Sequence, residues 1–446
     1  MIKVGIIICN YNKKEYVLKC IDSVLNSSYK DFDIYLVDNA STDGSVQAVK
    51  ERFCNELKII ENEENIGGSG GFYTGIKFVI NKGYKYIYLL DNDVVIHENS
   101  LEKLVDYMEK NLNVGATGSK IYYLDNPKVI QEFGSFVDWD DFNMKLMNKG
   151  SIDLGFSDMK SDYVPACSAL LRVDALKEVG NIDKEYFVYW DDIDLCHRLK
   201  LQGYEIWAIN DSKVWHKGGG NVRRNTFGTY YFWRNRIHFF IKYSEESKIE
   251  KVAAKLFDDI FDAVYACNYV GKYNSAKTIS LALEDAIHNV RGKVSDDKIF
   301  KVEKIEDRLK EILRGKKSIT IINNNHVDVL MNVINKIKTI NNKVELTILS
   351  NKKLDIEQFK ECKILKSNDY KSKESEIVIK LCNHIFDMRN ELCNNIIYID
   401  GYFNTIITQE DRKYIENYEN IYCMMKNIWY PNLVDGMRRL NKKLNN

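Results

Sequence analysis

The first half of the chain alternates continuous apolar runs with stretches in which apolar residues recur every three or four positions. Val4-Gly5-Ile6-Ile7-Ile8-Cys9 is apolar throughout, the signature of a strand covered on both faces. Residues 14–26 read as a helix with Val17, Leu18, Ile21, Val24 and Leu25 on one side. Strands are expected over 32–37, 57–60 and 86–90, and helices over 45–53 and 71–82. This β-α-β-α-β-α-β order predicts a mainly parallel sheet with helices on both faces. Ligands of such sheets bind at the carboxyl ends of the strands, where Asp38, Asn39, Asp91 and Asp93 all fall.

Beyond Gly115 the pattern mixes. Strands are expected over 118–123 and 168–173, a helix over 190–201, and a strand from Tyr204 to Ala208 running on to Val214-Trp215-His216. Aromatic and basic residues crowd 230–240. Residues 250–290 read as helical, and 301–314 as a charged helix with Ile305, Leu309 and Leu313 at a four-residue spacing. The character changes at Gly315-Lys316-Lys317. Short strands over 319–322, 344–349, 377–381 and 396–399, with helices between, predict a small separate α/β domain. The expected divisions are thus an α/β domain over 1–240, a helical region over 241–315 and a small α/β domain over 316–446.

Bulk properties narrow the class. A chain of 446 residues exceeds one ordinary core. Equal numbers of basic and acidic residues, 64 each, exclude a bulk electrostatic partner such as nucleic acid. Ten cysteines without a CxxC pair, with Cys9 and Cys54 in or near core segments, read as reduced cytosolic thiols. The first apolar run is too short to span a bilayer and has no signal-peptide pattern, so a cytoplasmic protein is expected.

Three segments carry candidate chemistry. Asp91-Asn92-Asp93 follows a buried strand, with no Arg or Lys among the next five residues. Two like charges raise each other's pKa unless a cation intervenes, and hard oxygen donors suit Mg²⁺ or Mn²⁺ arriving with a phosphorylated substrate. The structural alternative is a turn and helix cap. Asn65-Ile66-Gly67-Gly68-Ser69-Gly70-Gly71-Phe72 is a glycine-rich turn before a helix, where backbone N–H groups can approach a phosphate or sugar. Trp190-Asp191-Asp192-Ile193-Asp194 opens a helix. Its dipole accounts for one or two first-turn carboxylates, but three of four exceed what a cap needs. Burial beside Trp190 would raise one of them into the range of a general base, while Asp194 reads as structural, closing a capping box.

Two further sites are weaker. Asp38 could accept from a base N–H; Ser41 or Thr42 reads as a cap for the helix near Ser45, and Asp43 as structural. His216 is either a satisfied structural residue or a ligand. It precedes a Gly218-Gly219-Gly220 hinge and the basic residues Lys217, Arg223 and Arg224, which brings the second reading level with the first.

Taken in order, these segments, together with Ile6-Ile7-Ile8-Cys9-Asn10-Tyr11-Asn12, resemble the inverting family 2 glycosyltransferases with the GT-A fold. The resemblance covers about the first 240 residues. The glycine-rich segment and the Trp-Asp-Asp cluster look most like those of bacterial rhamnosyl- and galactofuranosyltransferases. The resemblance implies that Asp38 reads a uracil or thymine ring, with Asn10 and Tyr11 beside it. Asn65, Gly67 and Gly68 would lie against the donor. Asp91 would meet the ribose or the metal, with Asn92 beside it on the donor side, while Asp93 and His216 would bind Mn²⁺ or Mg²⁺. Asp192 would be the catalytic base, with Asp191, where many relatives carry Glu, as the second candidate. Trp190 would stack on the acceptor sugar.

The implied partners are a UDP- or dTDP-sugar donor and a saccharide or lipid-linked saccharide acceptor in capsule or cell-wall polysaccharide synthesis. Residues 230–240 either pack Phe232, Ile237 and Phe240 into the core or use Arg234 and Arg236 at the inner face of the plasma membrane. Self-association is compatible with this reading. The competing classes are a nucleotidyltransferase, which would need a basic glycine-rich loop where Asn10-Tyr11-Asn12 stands, and a non-catalytic scaffold docking through the residues after Gly315.

Overall fold

All seven residues of β1 (Val4–Asn10) are buried, as a continuous apolar run demands of a strand with helices on both faces. The computed structural model describes residues 3–445 except 55, 154, 219–224, 306, 324–326, 352–358, 360, 367–374 and 402. They form two units. One comprises Met1–Ile260, Asn274–Val302 and Leu433–Asn446; the other comprises Phe261–Tyr273 and Glu303–Asn432.

In the first unit β1 is followed by α1 (Lys14–Leu25), β2 (Phe32–Asp38), α2 (Ser45–Phe53), β3 (Leu57–Glu61), α3 (Gly67–Val79) and β4 (Tyr86–Asp91). β1 pairs in parallel with both β2 and β4, and β2 in parallel with β3. The strand order therefore reverses at β1, with β2 and β3 on one side and β4 on the other. Such a switch point opens a crevice at the carboxyl ends of the strands. Register decides what lines it: Asn10 lies opposite Asp38, and Cys9 opposite Asp91.

The sheet is then extended by β5 (Val94–Ile96), β6 (Val114–Tyr123) after helix α4 (Ser100–Lys110), and β7 (Asn126–Glu132). A separate hairpin, β8 (Ser135–Asp138) and β9 (Asn143–Leu146), precedes β10 (Met159–Ser161) and β11 (Ser168–Arg172). Helices α5 (Val173–Val179) and α6 (Asp191–Leu201) lead to β12 (Glu205–His216). The completed order is β10-β12-β6-β11-β4-β1-β2-β3. β11 lies antiparallel between β4 and β6, and the end of β12 pairs with β5 so that His216 lies opposite Val94. That pairing brings the end of β12 to the turn that follows β4. One core, including Ile6, Ile8, Leu36, Tyr88, Leu90 and Leu104, fixes these strands.

Helices α7 (Phe227–Tyr243), α8 (Ile249–Tyr269) and α9 (Tyr273–Ile287) follow. The second unit carries α10 (Arg308–Leu313), β13 (Ser318–Ile322), α11 (Val327–Ile340), β14 (Glu345–Leu349), β15 (Lys363–Leu365), β16 (Ile377–Leu381), β17 (Ile396–Ile399), β18 (Thr405–Ile406) and α12 (Gln409–Glu416). Its sheet order is β15-β14-β13-β16-β17-β18, parallel except for β18. A final helix, α13 (Tyr418–Asn445), closes the chain.

The division differs from the three segments expected. Residues far beyond 240 belong to the first unit: Asn441 Nδ2 donates to the carbonyls of Ile241 and Ser244 at 2.6 and 2.9 Å. The charged helix expected over 301–314 is confined to Arg308–Leu313, and Cys54, expected near the core, is exposed. No described helix is long and apolar enough to cross a membrane.

Candidate active site

The strand ends gather three ligating side chains. His216 Nε2 lies 3.2 Å from Asp93 Oδ1 and 3.7 Å from Asp91 Oδ2. One donor atom from each of the three residues lies within 4.8 Å of the other two. The second ring nitrogen of His216, Nδ1, is 2.8 Å from Gln131 Oε1 on β7. This contact with Gln131 turns Nε2 toward the two carboxylates. Two carboxylates and an imidazole form a donor set that fits Mn²⁺ or Mg²⁺. Asp93 also pairs with Lys13 Nζ at 2.5 Å, so a cationic side chain does reach the acidic triplet, from 80 residues upstream.

These contacts divide the two carboxylates. Burial would raise Asp93, but the His216 hydrogen bond and Lys13 hold it well below the usual carboxylate range. Asp91 is pushed up to about 6, by burial first and by Asp93 next, against the pull of His216. His216 is raised, since Asp93 and Asp91 outweigh its burial.

Asn10 ties this centre to β2. Its Nδ2 donates to Asp38 Oδ1 at 2.8 Å, and its Oδ1 accepts from Asn92 Nδ2 at 2.7 Å. Asp38 Oδ1 also accepts from Ser41 Oγ at 2.7 Å, and Oδ2 from the Ser41 backbone N–H at 2.8 Å. Asn10, Asp38 and Asn92 are all buried. Tyr11, next to them, is 44% exposed. Ser41 and Thr42 do not cap α2 as expected: Ser41 binds Asp38, and the Thr42 N–H donates to Asn12 Oδ1 at 2.7 Å. Asp43 is structural, accepting from the backbone N–H groups of Lys14 and Ser45 at 2.8 and 3.0 Å.

The glycine-rich segment is helix rather than loop. α3 starts at Gly67, whose N–H donates to Asn65 Oδ1 at 2.9 Å. A Cβ on Gly71 would stand 2.2 Å from Cys9 Sγ, so this glycine lets α3 lie against β1. Gly68 differs: a Cβ there would meet nothing within 4 Å. Asn39 anchors the segment, donating from Nδ2 to the Gly67 carbonyl at 2.8 Å.

The second acidic group opens α6, where Asp191 is buried and Asp192 partly open. Burial, then the neighbouring Asp192, pushes Asp191 up to about 8. Asp192 is also raised by burial, although the N–H groups of Ala166 and Ile193 donate to it at 3.1 and 2.8 Å. The two acidic groups sense each other: Asp192 adds to the rise at Asp91, and Asp91 to the rise at Asp191. Asp194 closes no capping box. It accepts from Arg198 Nε, Lys242 Nζ and the Tyr186 and Tyr243 hydroxyls at 2.8, 2.7, 3.1 and 2.8 Å, which bolts α6 to α7.

Two expectations need correction. Trp190 is only 1% exposed and packs on Phe232, Phe239 and Phe240, so its ring is closed to an acceptor sugar here; Tyr189, at 46%, is the open aromatic. Arg234 and Arg236 are 0% and 2% exposed, because the turn of helix that carries them faces inward, so neither can meet a membrane. Gly219, Gly220, Arg223 and Arg224 of the expected hinge lie outside the described residues, while Lys217 pairs with Asp125. Sequence reasoning missed Lys13, Gln131 and the Ala166 N–H. Only Lys13 left a signal, as the base that follows Asn10-Tyr11-Asn12.

Comparison with known proteins agrees with this geometry. Residues 5–180 match Glycosyl transferase family 2. An uncharacterised glycosyltransferase of Haemophilus influenzae is 30% identical over 118 residues, which are 26% of this chain and 36% of the relative. Glycosyltransferase GlyG of Streptococcus pneumoniae is 26% identical over 235 residues, 50% of this chain and 74% of GlyG. The poly(ribitol-phosphate) beta-N-acetylglucosaminyltransferase TarP of Staphylococcus aureus is 26% identical over 221 residues, 45% of this chain and 67% of TarP. The chain thus spans from about a third to three quarters of the length of these curated relatives. The match to Glycosyl transferase family 2 thus falls inside the first unit, on the mainly parallel sheet whose switch point gathers Asp38, Asp91 and Asp93 at its strand ends.

Proposed function

We propose that the chain transfers a sugar from a nucleotide-diphosphate donor to a saccharide hydroxyl, with inversion at the anomeric carbon. One observation carries the reading: a carboxylate–imidazole cluster, with its three donor atoms within 4.8 Å of one another, sits at the switch point of a sheet whose helix α6 opens with a second acid pair. A divalent cation held by Asp91, Asp93 and His216 would neutralise the departing diphosphate. Asp192, the more open of the pair, takes the proton of the acceptor hydroxyl, and burial, which raises its pKa above the ordinary carboxylate range, makes it a stronger base than a free carboxylate. Asp191, held at about 8, keeps its own proton and limits the negative charge beside Asp192.

Asp38 carries a single protein hydrogen bond on Oδ2, which leaves that oxygen for a base N–H, with Tyr11 alongside. Asn65 shapes the start of α3, and Gly68 has the open space to lie against the donor. The favoured sugars are rhamnose and galactofuranose, on the likeness of the glycine-rich segment and the Trp-Asp-Asp cluster. The likeness to TarP, a poly(ribitol-phosphate) beta-N-acetylglucosaminyltransferase, supports a polymer as acceptor.

The reading is tested by incubating the protein with Mn²⁺ and a panel of UDP- and dTDP-sugars, following nucleotide release and thermal shift. Release of UDP or dTDP, with the Mn²⁺-dependent shift abolished in Asp93→Asn, is expected. Release of pyrophosphate from nucleoside triphosphates instead would point to nucleotidyl transfer.

A further inference from the structure

The acid pair is presented by an unusual turn. Phe187, Tyr189 and Trp190 have φ of +67°, +64° and +70°, a left-handed region that L side chains rarely adopt. Three such residues within four positions, none of them glycine, immediately precede Asp191. A segment of this kind persists only where its surroundings hold it, and held strain of this sort clusters at functional sites.

The holding group comes from α7. Asn235 Nδ2 lies 2.9, 2.8 and 3.0 Å from the carbonyl oxygens of Tyr186, Val188 and Tyr189, so its two N–H bonds serve three carbonyls. Arg234 fixes the amide the right way round, since its Nε donates to Asn235 Oδ1 at 3.0 Å. The same guanidinium donates to the carbonyls of Tyr186 at 3.1 Å and Gly292 at 2.7 Å. Both side chains are fully buried. On its other side the turn meets the glycine helix, with the Ser69 N–H donating to the Phe187 carbonyl at 3.2 Å. A Cβ on Gly67 would stand 2.1 Å from that oxygen. The turn therefore lies between the donor-side helix and the acid pair.

We infer that Asn235, oriented by Arg234, is a positioning residue for the reaction: it holds the left-handed 187–190 turn so that Asp191 and Asp192 face the crevice. The inference rests on the proposed roles of those two acids. Asn235 reaches neither the carboxylates nor the crevice. Its effect is on where α6 begins, so losing it lowers turnover and spares donor and metal binding.

The test uses the full chain with Asn235→Asp, an isosteric change that removes both donors and sets a carboxylate against three carbonyls. Asn235→Ser, which keeps one short donor, serves if the first variant does not fold. Backbone hydrogen exchange over residues 186–194, measured without substrate, is expected to accelerate at least tenfold over the wild type. kcat is expected to fall at least tenfold, with donor KM and the Mn²⁺-induced thermal shift unchanged within about twofold. Unaltered exchange in the folded variant overturns the clamp. Faster exchange with unchanged kcat overturns the positioning role. If the wild type transfers no sugar, the proposed function fails by itself, and the exchange measurement alone decides whether the clamp exists.

Discussion

Asp192 and Asp194 lie two residues apart on α6 and are driven in opposite directions. Asp194 is enclosed, but Lys242, Arg198 and two tyrosine hydroxyls overcome its burial and hold it at about 2. Asp192 receives only backbone N–H groups, and burial wins. The first is an anchor that stays charged; the second can exchange a proton. A base works only when deprotonated, so a raised pKa places the acid limb of the kcat profile above the ordinary carboxylate value of about 4. Turnover measured from pH 3 to 9 is therefore expected to climb with pH through a midpoint above that value, and an acid limb at or below it would remove Asp192 from the role. At this scale the sequence made Asp91, Asp93, His216 and the acid pair legible, because each sits at the end of a strand or the start of a helix. Lys13, Gln131 and Asn235 were hidden, since their partners lie 80, 85 and 46 residues away along the chain and only the tertiary fold brings them together.

Helix α3 shows how packing overrides local preference. Its opening residues, Gly67-Gly68-Ser69-Gly70-Gly71, are poor helix formers, each glycine costing about 1 kcal/mol relative to alanine, and they read as a loop. The helix forms because Gly71 and Gly75 let it press on Cys9 and Ile7 of β1. The glycines thus separate into packing and open positions. Gly71→Ala, whose Cβ would collide with Cys9 Sγ, is expected to destabilise the fold by about 1–3 kcal/mol, seen as a lower denaturant midpoint. Gly68→Ala should raise that midpoint, by up to about 1 kcal/mol of helix propensity, and raise the donor KM, because the added methyl group projects into open space. Equal stability losses at both positions would contradict the distinction. The alternating strands and helices before residue 91 were legible because each long apolar period matched one element. The charged helix over 301–314 was overextended because its four-residue apolar spacing continues past the hydrogen-bonded turns.

For the whole molecule, the longer strands of both sheets and a separate second α/β unit were visible in the sequence; the strands β5, β7, β10, β15 and β18 and the bounds of the units were not. Hydrophobic periodicity reports that a helix has a buried face, but not which core that face joins. Residues well past 240 complete the first unit: the Val294 N–H donates to the Tyr231 hydroxyl at 2.9 Å, and Thr278 Oγ1 on α9 donates to Thr226 Oγ1 at 2.8 Å. A fragment ending at residue 240 is therefore expected to be insoluble or to melt well below the full chain, by circular dichroism. A fragment that retained the full-length melting temperature would show that these later helices are dispensable.

The account as a whole depends on the first unit's two acidic groups having separate tasks, donor and metal binding at Asp91, Asp93 and His216, and proton removal at Asp192. Donor-dependent nucleotide release by Asp192→Asn, measured beside its Mn²⁺- and donor-induced thermal shifts, tests that division most directly. The account predicts wild-type shifts with turnover lowered about a hundredfold or more, the usual size of general-base catalysis. Full turnover in Asp192→Asn, or loss of donor binding together with turnover, would contradict it.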